Sequence, residues 1–170
     1  MSGQNNQNRK LQNLINIGKM ADDSVGAAEL VDDSVDNAAL AATQPKTLCF
    51  LYDFAALGGA TGSLILTDQA GAGQSLPDNA VITEVVIEGI TDLTSGGSAT
   101  VALGYTGQTD AFLSAAAKTA ANWNTNNVTV GTATAAVGKT GSAVAVLATV
   151  ATADLTAGKF QVWVTYFEGA

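Results

Sequence analysis

From residue 46 onward the chain alternates between short apolar runs and clusters of turn-forming residues, and this rhythm leaves few folds open. The runs are 47–54, 63–68, 80–90, 99–105, 111–117, 128–133, 143–150 and 159–167. Between them stand Gly58-Gly59, 71–73, Pro77-Asp78-Asn79, Ser95-Gly96-Gly97, Gly104 with Gly107, 122–127, 138–141 and Thr156-Ala157-Gly158. Apolar runs of this length, closed by glycine, proline or asparagine, read as strands separated by turns. The spacing suits a sandwich and does not suit alternating β-α units. It therefore predicts an all-β domain over 46–170, an eight-stranded antiparallel β-sandwich. One stretch reads two ways: 111–123 is rich in alanine, which favours helix, while its neighbours favour a strand.

The last run carries more information than the others. Phe160, Val162, Val164 and Tyr166 share one face of a strand, and Gln161, Trp163, Thr165 and Phe167 share the other. The first face fits a core. The second, with two large aromatics, calls for an apolar neighbour outside the sandwich, which a subunit interface supplies.

Composition removes whole classes of chemistry. The chain has no histidine, so it lacks the usual general base at neutral pH, the commonest metal ligand and every Ser-His or Cys-His nucleophile. Cys49 is the sole cysteine, which excludes an intrachain disulfide and a thiolate zinc cluster, and its place in Leu48-Cys49-Phe50-Leu51 gives it the role of a small core hydrophobe. Fifteen acidic against seven basic residues give a charge of -8. That sign is wrong for phosphate backbones and anionic lipid surfaces, so neither nucleic acid nor membrane is an expected partner. The N-terminus lacks an apolar stretch of signal-peptide length, so synthesis in a cytoplasm is expected.

The N-terminal region is organised differently. Residues 1–18 are rich in asparagine and glutamine and hold a short apolar knot, Leu11, Leu14, Ile15 and Ile17, which reads as a docking arm. Residues 20–41 then repeat with a period of ten: Met20-Ala-Asp-Asp-Ser-Val-Gly-Ala-Ala-Glu is followed by Leu30-Val-Asp-Asp-Ser-Val-Asp-Asn-Ala-Ala and Leu40-Ala. Large apolar residues fall every fifth position, at Met20, Val25, Leu30, Val35 and Leu40. Five residues turn a helix by about 500°, which would scatter these side chains around its circumference. Each unit offers only a few apolar groups worth about 1.5–3 kcal/mol apiece when buried. Ordering its backbone costs on the order of 10–20 kcal/mol. Such a repeat is ordered only against copies of itself or a partner surface. Residues 1–45 thus form an extended N-terminal arm, and 46–170 the sandwich.

Candidate motifs are few. Gly138-Lys139-Thr140 resembles the tail of a phosphate-binding loop, but the pattern needs glycine at position 133, which is alanine. Asp32, Ser34 and Asp36 have calcium-loop spacing, yet the sixth position is Asn37 and the twelfth is Thr43, which excludes an EF-hand. Residues 20–41 hold six acids and no base, and these read as solvated, outward-facing side chains. Glu84 and Glu88 lie on one face of a strand about 13 Å apart, too far for a glycosidase pair. Trp123 with Asn122 and Asn124 on a loop makes an amide-aromatic surface that can stack on a sugar, against the plainer role of packing the loop. No catalytic residue, cofactor site or metal site emerges.

The repeat MADDSVGAAELVDDSVDNAALA resembles the decameric repeats in shafts and collars of tailed-bacteriophage fibres and head-attached appendages. The segments AVITEVVIEGITDLTSGGSATVALGY, VGTATAAV and ADLTAGKFQVWVTYFEG are similar to those of small phage virion proteins. The resemblance implies a virion structural protein: a homotrimer on the virion surface, held to the major capsid protein or another virion protein by its arm, with an outward β-sandwich, often a jelly roll. In that picture Leu11, Leu14, Ile15 and Ile17 dock on the capsid. Val25, Leu30, Val35 and Leu40 pack about the threefold axis, and Trp163 and Phe167 join the trimer interface. The alternative is a tail-fibre or spike subunit that binds a host glycan through Asn122, Trp123 and Asn124.

Overall fold

A computed structural model describes residues 44–131 and 138–169. The chain divides into two units, Met1–Thr43 and Gln44–Ala170, and the described residues belong to the second. The arm residues Leu11, Leu14, Ile15, Ile17, Val25, Leu30, Val35 and Leu40 lie outside the described residues.

Among the described residues ten strands form: β1 Lys46–Asp53, β2 Gly62–Ile65, β3 Ser75–Leu76, β4 Ala80–Ser95, β5 Thr100–Tyr105, β6 Gln108–Ala117, β7 Val128–Val130, β8 Gly138–Lys139, β9 Val144–Ala151 and β10 Leu155–Glu168. They pair antiparallel in two sheets, β1-β10-β4-β7 and β2-β9-β5-β6. β8 joins the outer edge of β4 beside β7, and β3 joins β9 beside β2. With β2/β3 and β7/β8 each counted as one interrupted strand, the eight strands run 1-8-3-6 and 2-7-4-5. That is the jelly-roll order of two Greek keys, so the sandwich expected from the sequence is present.

Two local expectations are corrected and one open stretch is resolved. The turn expected at 138–141 is in part strand, because Gly138–Lys139 pairs with Val81 and Ile82. The ambiguous stretch 111–123 is strand through Ala117 and then a 3-10 turn, Ala121–Trp123. A single helical turn α1, Phe54–Leu57, follows β1 where the sequence showed only a glycine turn, and the Asp53 side chain caps it by accepting from the Ala55 N–H at 2.9 Å.

Alternation builds the core. Phe50 and Tyr52 of β1, and Phe160, Val162, Val164 and Tyr166 of β10, point inward and are buried. Leu103, Phe112, Val146 and Ala148 meet them from the other sheet. In β4 the register slips by one residue at Thr83, between the pairs Thr165–Glu84 and Tyr166–Ile82. This bulge lets both Ile82 and Val85 face the core and leaves Thr83 and Glu84 exposed.

The registers also sort the ends of the sandwich. Lys46 pairs with Tyr166 and Glu168 with Ala80, so the chain enters and leaves at one end. The connections following β1, β4, β6 and β9 lie at the opposite end. Among the described residues no helix is long and apolar enough to cross a membrane.

Candidate assembly face

The outward side of the β1-β10-β4-β7 sheet is built by strict pairing. Cys49 of β1 sits opposite Trp163 of β10, Trp163 opposite Val86 of β4, and Val86 opposite Val130 of β7. One row of largely apolar side chains therefore crosses the sheet from edge to edge. The next row is Leu51, Gln161, Glu88 and Val128, and on the other side lie Thr47, Thr165 and Glu84. Val128 and Val130 are 60% and 57% exposed, which is unusual for valines on a three-residue strand. Trp163 and Phe167, the two aromatics expected to look outward, do so and are half-buried.

Polar groups among these rows are already partnered. The Gln161 amide donates to the Glu88 carboxylate. Its oxygen accepts from the Gln69 amide at 3.3 Å and faces the Cys49 thiol at 3.5 Å. The Thr47 and Thr165 hydroxyls bond to each other at 3.1 Å. Partial burial pushes the Cys49 thiol above its ordinary value, the Gln69 amide pulls against this, and the Glu88 charge adds to it. Cys49, expected as a small core hydrophobe, instead faces outward and is half-buried because Phe50 and Tyr52 take the inward positions of β1; it is a neutral thiol near pH 7 and a poor nucleophile. A groove of about 380 Å³ beside Trp163 is lined in part by Cys49, Gln69 and Gln74, and the Gln74 side-chain oxygen is buried with no hydrogen-bond partner in the structure. Among the described residues no group of three or more Cys, Asp or Glu side chains could hold a metal ion.

Trp123 takes the plainer of its two readings, packing its loop. It is fully buried, with its ring 5.0 Å from that of Phe160, so it presents no surface for a sugar. The loop that carries it is tied back onto β4. Asp92 accepts from both the Thr125 N–H at 2.6 Å and its hydroxyl at 2.7 Å, and these bonds hold its carboxyl below the ordinary aspartate value. Asn126 takes a left-handed φ of 62° and donates to the Gly89 carbonyl. Gly89 is required there, since a Cβ would lie 2.1 Å from the Asn124 carbonyl oxygen. Asn122 turns its amide to the Thr129 hydroxyl at 3.0 Å, leaving Asn124 alone of the three exposed.

No known protein family matches the chain, and no curated protein does. Solved structures do. The chain is similar to a chain in the acidic stable capsid structure of Helicobacter pylori bacteriophage KHP30, at 18% identity, covering 74% of this chain and 88% of that one, with a TM-score of 0.52. It is similar to one in the capsid asymmetric unit of cyanophage Pam1, at 22% identity, 74% and 86% coverage and the same TM-score. A chain in the capsid of Ralstonia phage GP4 gives 19% identity, 75% and 86% coverage and again 0.52. The likeness is one of fold, and it spans most of each of those chains.

Proposed function

We propose that this protein is a non-enzymatic structural protein of a tailed-bacteriophage virion: a homotrimeric decoration or head-fibre protein whose arm, residues 1–45, holds it to the capsid. The observation that carries the reading is the jelly-roll sandwich shared with chains of three phage capsids. The arm supplies a second support, since its decameric repeat is too poor in apolar groups to order alone. Leu11, Leu14, Ile15 and Ile17 dock on the capsid lattice, Val25, Leu30, Val35 and Leu40 pack about the threefold axis, and Trp163 and Phe167 contribute to the trimer interface. The sandwich points outward from the capsid.

Burial of Trp123 leaves the glycan-binding alternative without its stacking residue. Light scattering on the purified full-length chain tests the assembly: the expected mass is three times 17.1 kDa. Replacing Leu30 and Val35 by Asp is expected to reduce it to a single chain. Labelling on intact particles tests the location, and label confined to tail tips would sink the decoration reading.

A further inference from the structure

We infer that the open edge of β1 at Thr47 and Cys49 takes up, as an added strand, an extended segment of another protein that carries a lysine or arginine. The inference concerns the sandwich alone and does not rest on the trimer reading. Along its unbroken antiparallel ladder with β10, β1 turns its main-chain groups alternately toward β10 and away from it. Leu51 turns away: its N–H donates to the Thr67 carbonyl at 2.7 Å and its carbonyl accepts from the Thr67 N–H at 3.1 Å. Cys49 and Thr47 have the same parity as Leu51, so their N–H and C=O groups point to the same open side. Among the described residues no main-chain group meets them there.

Continued in the register of the Leu51–Thr67 bridge, the chain would set Gln69 against Cys49 and Gly71 against Thr47. Asp68 prevents this. Its Oδ1 accepts from the Ala70 N–H at 2.9 Å and the Ala72 N–H at 2.8 Å, which curls the chain away from β1. The space so vacated is the groove of about 380 Å³, lined by β1 residues and by Asp68 and Gln74. An unpaired strand edge is a template for another chain. Main-chain pairing beside side-chain pockets is how extended peptides are recognised. The groove also selects its occupant. Leu48 and Trp163 give it apolar walls, and Asp68 is the only charged side chain among the described residues that line it. The buried Gln74 oxygen is a second acceptor and has no partner. A lysine or arginine brings the positive charge and the donors that these two groups lack.

The test titrates fluorescent, end-capped heptapeptides of alternating valine and threonine, with lysine or glutamate at the centre, into the full-length chain and reads anisotropy. The lysine peptide is expected to bind at least tenfold more tightly than the glutamate peptide, and Asp68→Asn to remove most of that preference. Thr47→Pro deletes an N–H that the ladder with β10 does not use, a change that an edge strand tolerates, and should weaken the lysine peptide at least tenfold. Two further lysine peptides carry N-methyl groups on alternate amides, one set on odd positions and one on even. Strand addition uses only one set, so one peptide should bind as before and the other should lose binding. Equal binding of the lysine and glutamate peptides, equal loss from both methylated peptides, or no saturable binding at millimolar concentration overturns the inference. Light scattering on the saturated chain should give an unchanged mass. A mass that falls as peptide binds assigns the groove to another copy of this chain and overturns the foreign partner.

Discussion

Turned toward each other, the two sheets carry the same kind of side chain. One contributes Phe50, Tyr52, Phe160 and Val162, the other Val101, Leu103, Phe112 and Val146, and all are essentially inaccessible. Turned away, they differ in degree: Trp163, Val86, Val128 and Val130 on one side, and on the other a row of small side chains, Ser63, Thr149 and Ala102, beside a row with Ile65 and Leu147. The inward likeness follows from the fold, because any jelly roll must fill the space between its sheets. The outward difference does not, since both faces are equally free in a lone sandwich.

The comparison breaks most sharply at Phe160. Its ring stacks on Tyr52 at 4.9 Å and meets Trp123 at 5.0 Å, so Phe160→Ala is expected to cost about 3–5 kcal/mol in urea unfolding. Phe112→Ala, its counterpart in the other sheet, should cost a similar amount. Trp163→Ala, on the same strand as Phe160 but facing out, should cost the isolated sandwich roughly 1 kcal/mol. If the two β10 substitutions were equally damaging, the outer face would belong to the core and the asymmetry would vanish.

Backbone contacts give the next largest effect. Gly89→Ala should destabilise by roughly 1–3 kcal/mol or more, because its Cβ would overlap the Asn124 carbonyl. Gly96→Ala, whose Cβ would meet open space, serves as the neutral reference. Thr140 is the only buried polar residue among those described, accepting from the Ala80 N–H at 2.9 Å and donating to the Pro77 carbonyl at 2.7 Å. Thr140→Val strands the Ala80 donor and the Pro77 acceptor and should cost about 1–3 kcal/mol, read as a lower urea midpoint at unchanged slope.

All eight expected strands are present, because alternation and turn residues are local signals. The two that the sequence missed, Ser75–Leu76 and Gly138–Lys139, have two residues each, too few for any periodicity, and the second sits among glycines. Trp123 packs its loop, the plainer of its two readings, because the asparagines around it spend their hydrogen bonds folding the loop back so that the indole enters the core. The signal available was composition. With aromatics at only 6% and small residues abundant, the interior has need of nearly every large ring. Trp163 and Phe167 were legible as outward residues from their own strand. Val86, Val128 and Val130 were not, because the row they make with Trp163 exists only through registers between strands far apart in sequence.

The smallest expected effect concerns acid. The Lys159 ammonium bonds Asp53 at 2.9 Å and the Ala55 N–H adds a second bond, so the Asp53 carboxyl sits below the ordinary value of 3.8. A carboxyl depressed by folding contributes stability that is complete above its unfolded pKa and is lost as pH falls through the folded one. The native protein should therefore lose this contribution only below about pH 4, where an unfolded aspartate protonates. Both partners are partly exposed, so its size is at most about 1 kcal/mol. Asp53→Asn should flatten the acid limb of the urea midpoint against pH and leave the limb above pH 5 lower by a constant amount. The pair joins β1 to β10 at the end of the sheet away from the arm, one row beyond Leu51 and Gln161. Its loss should therefore lower the urea midpoint at neutral pH by an amount that disappears below about pH 4.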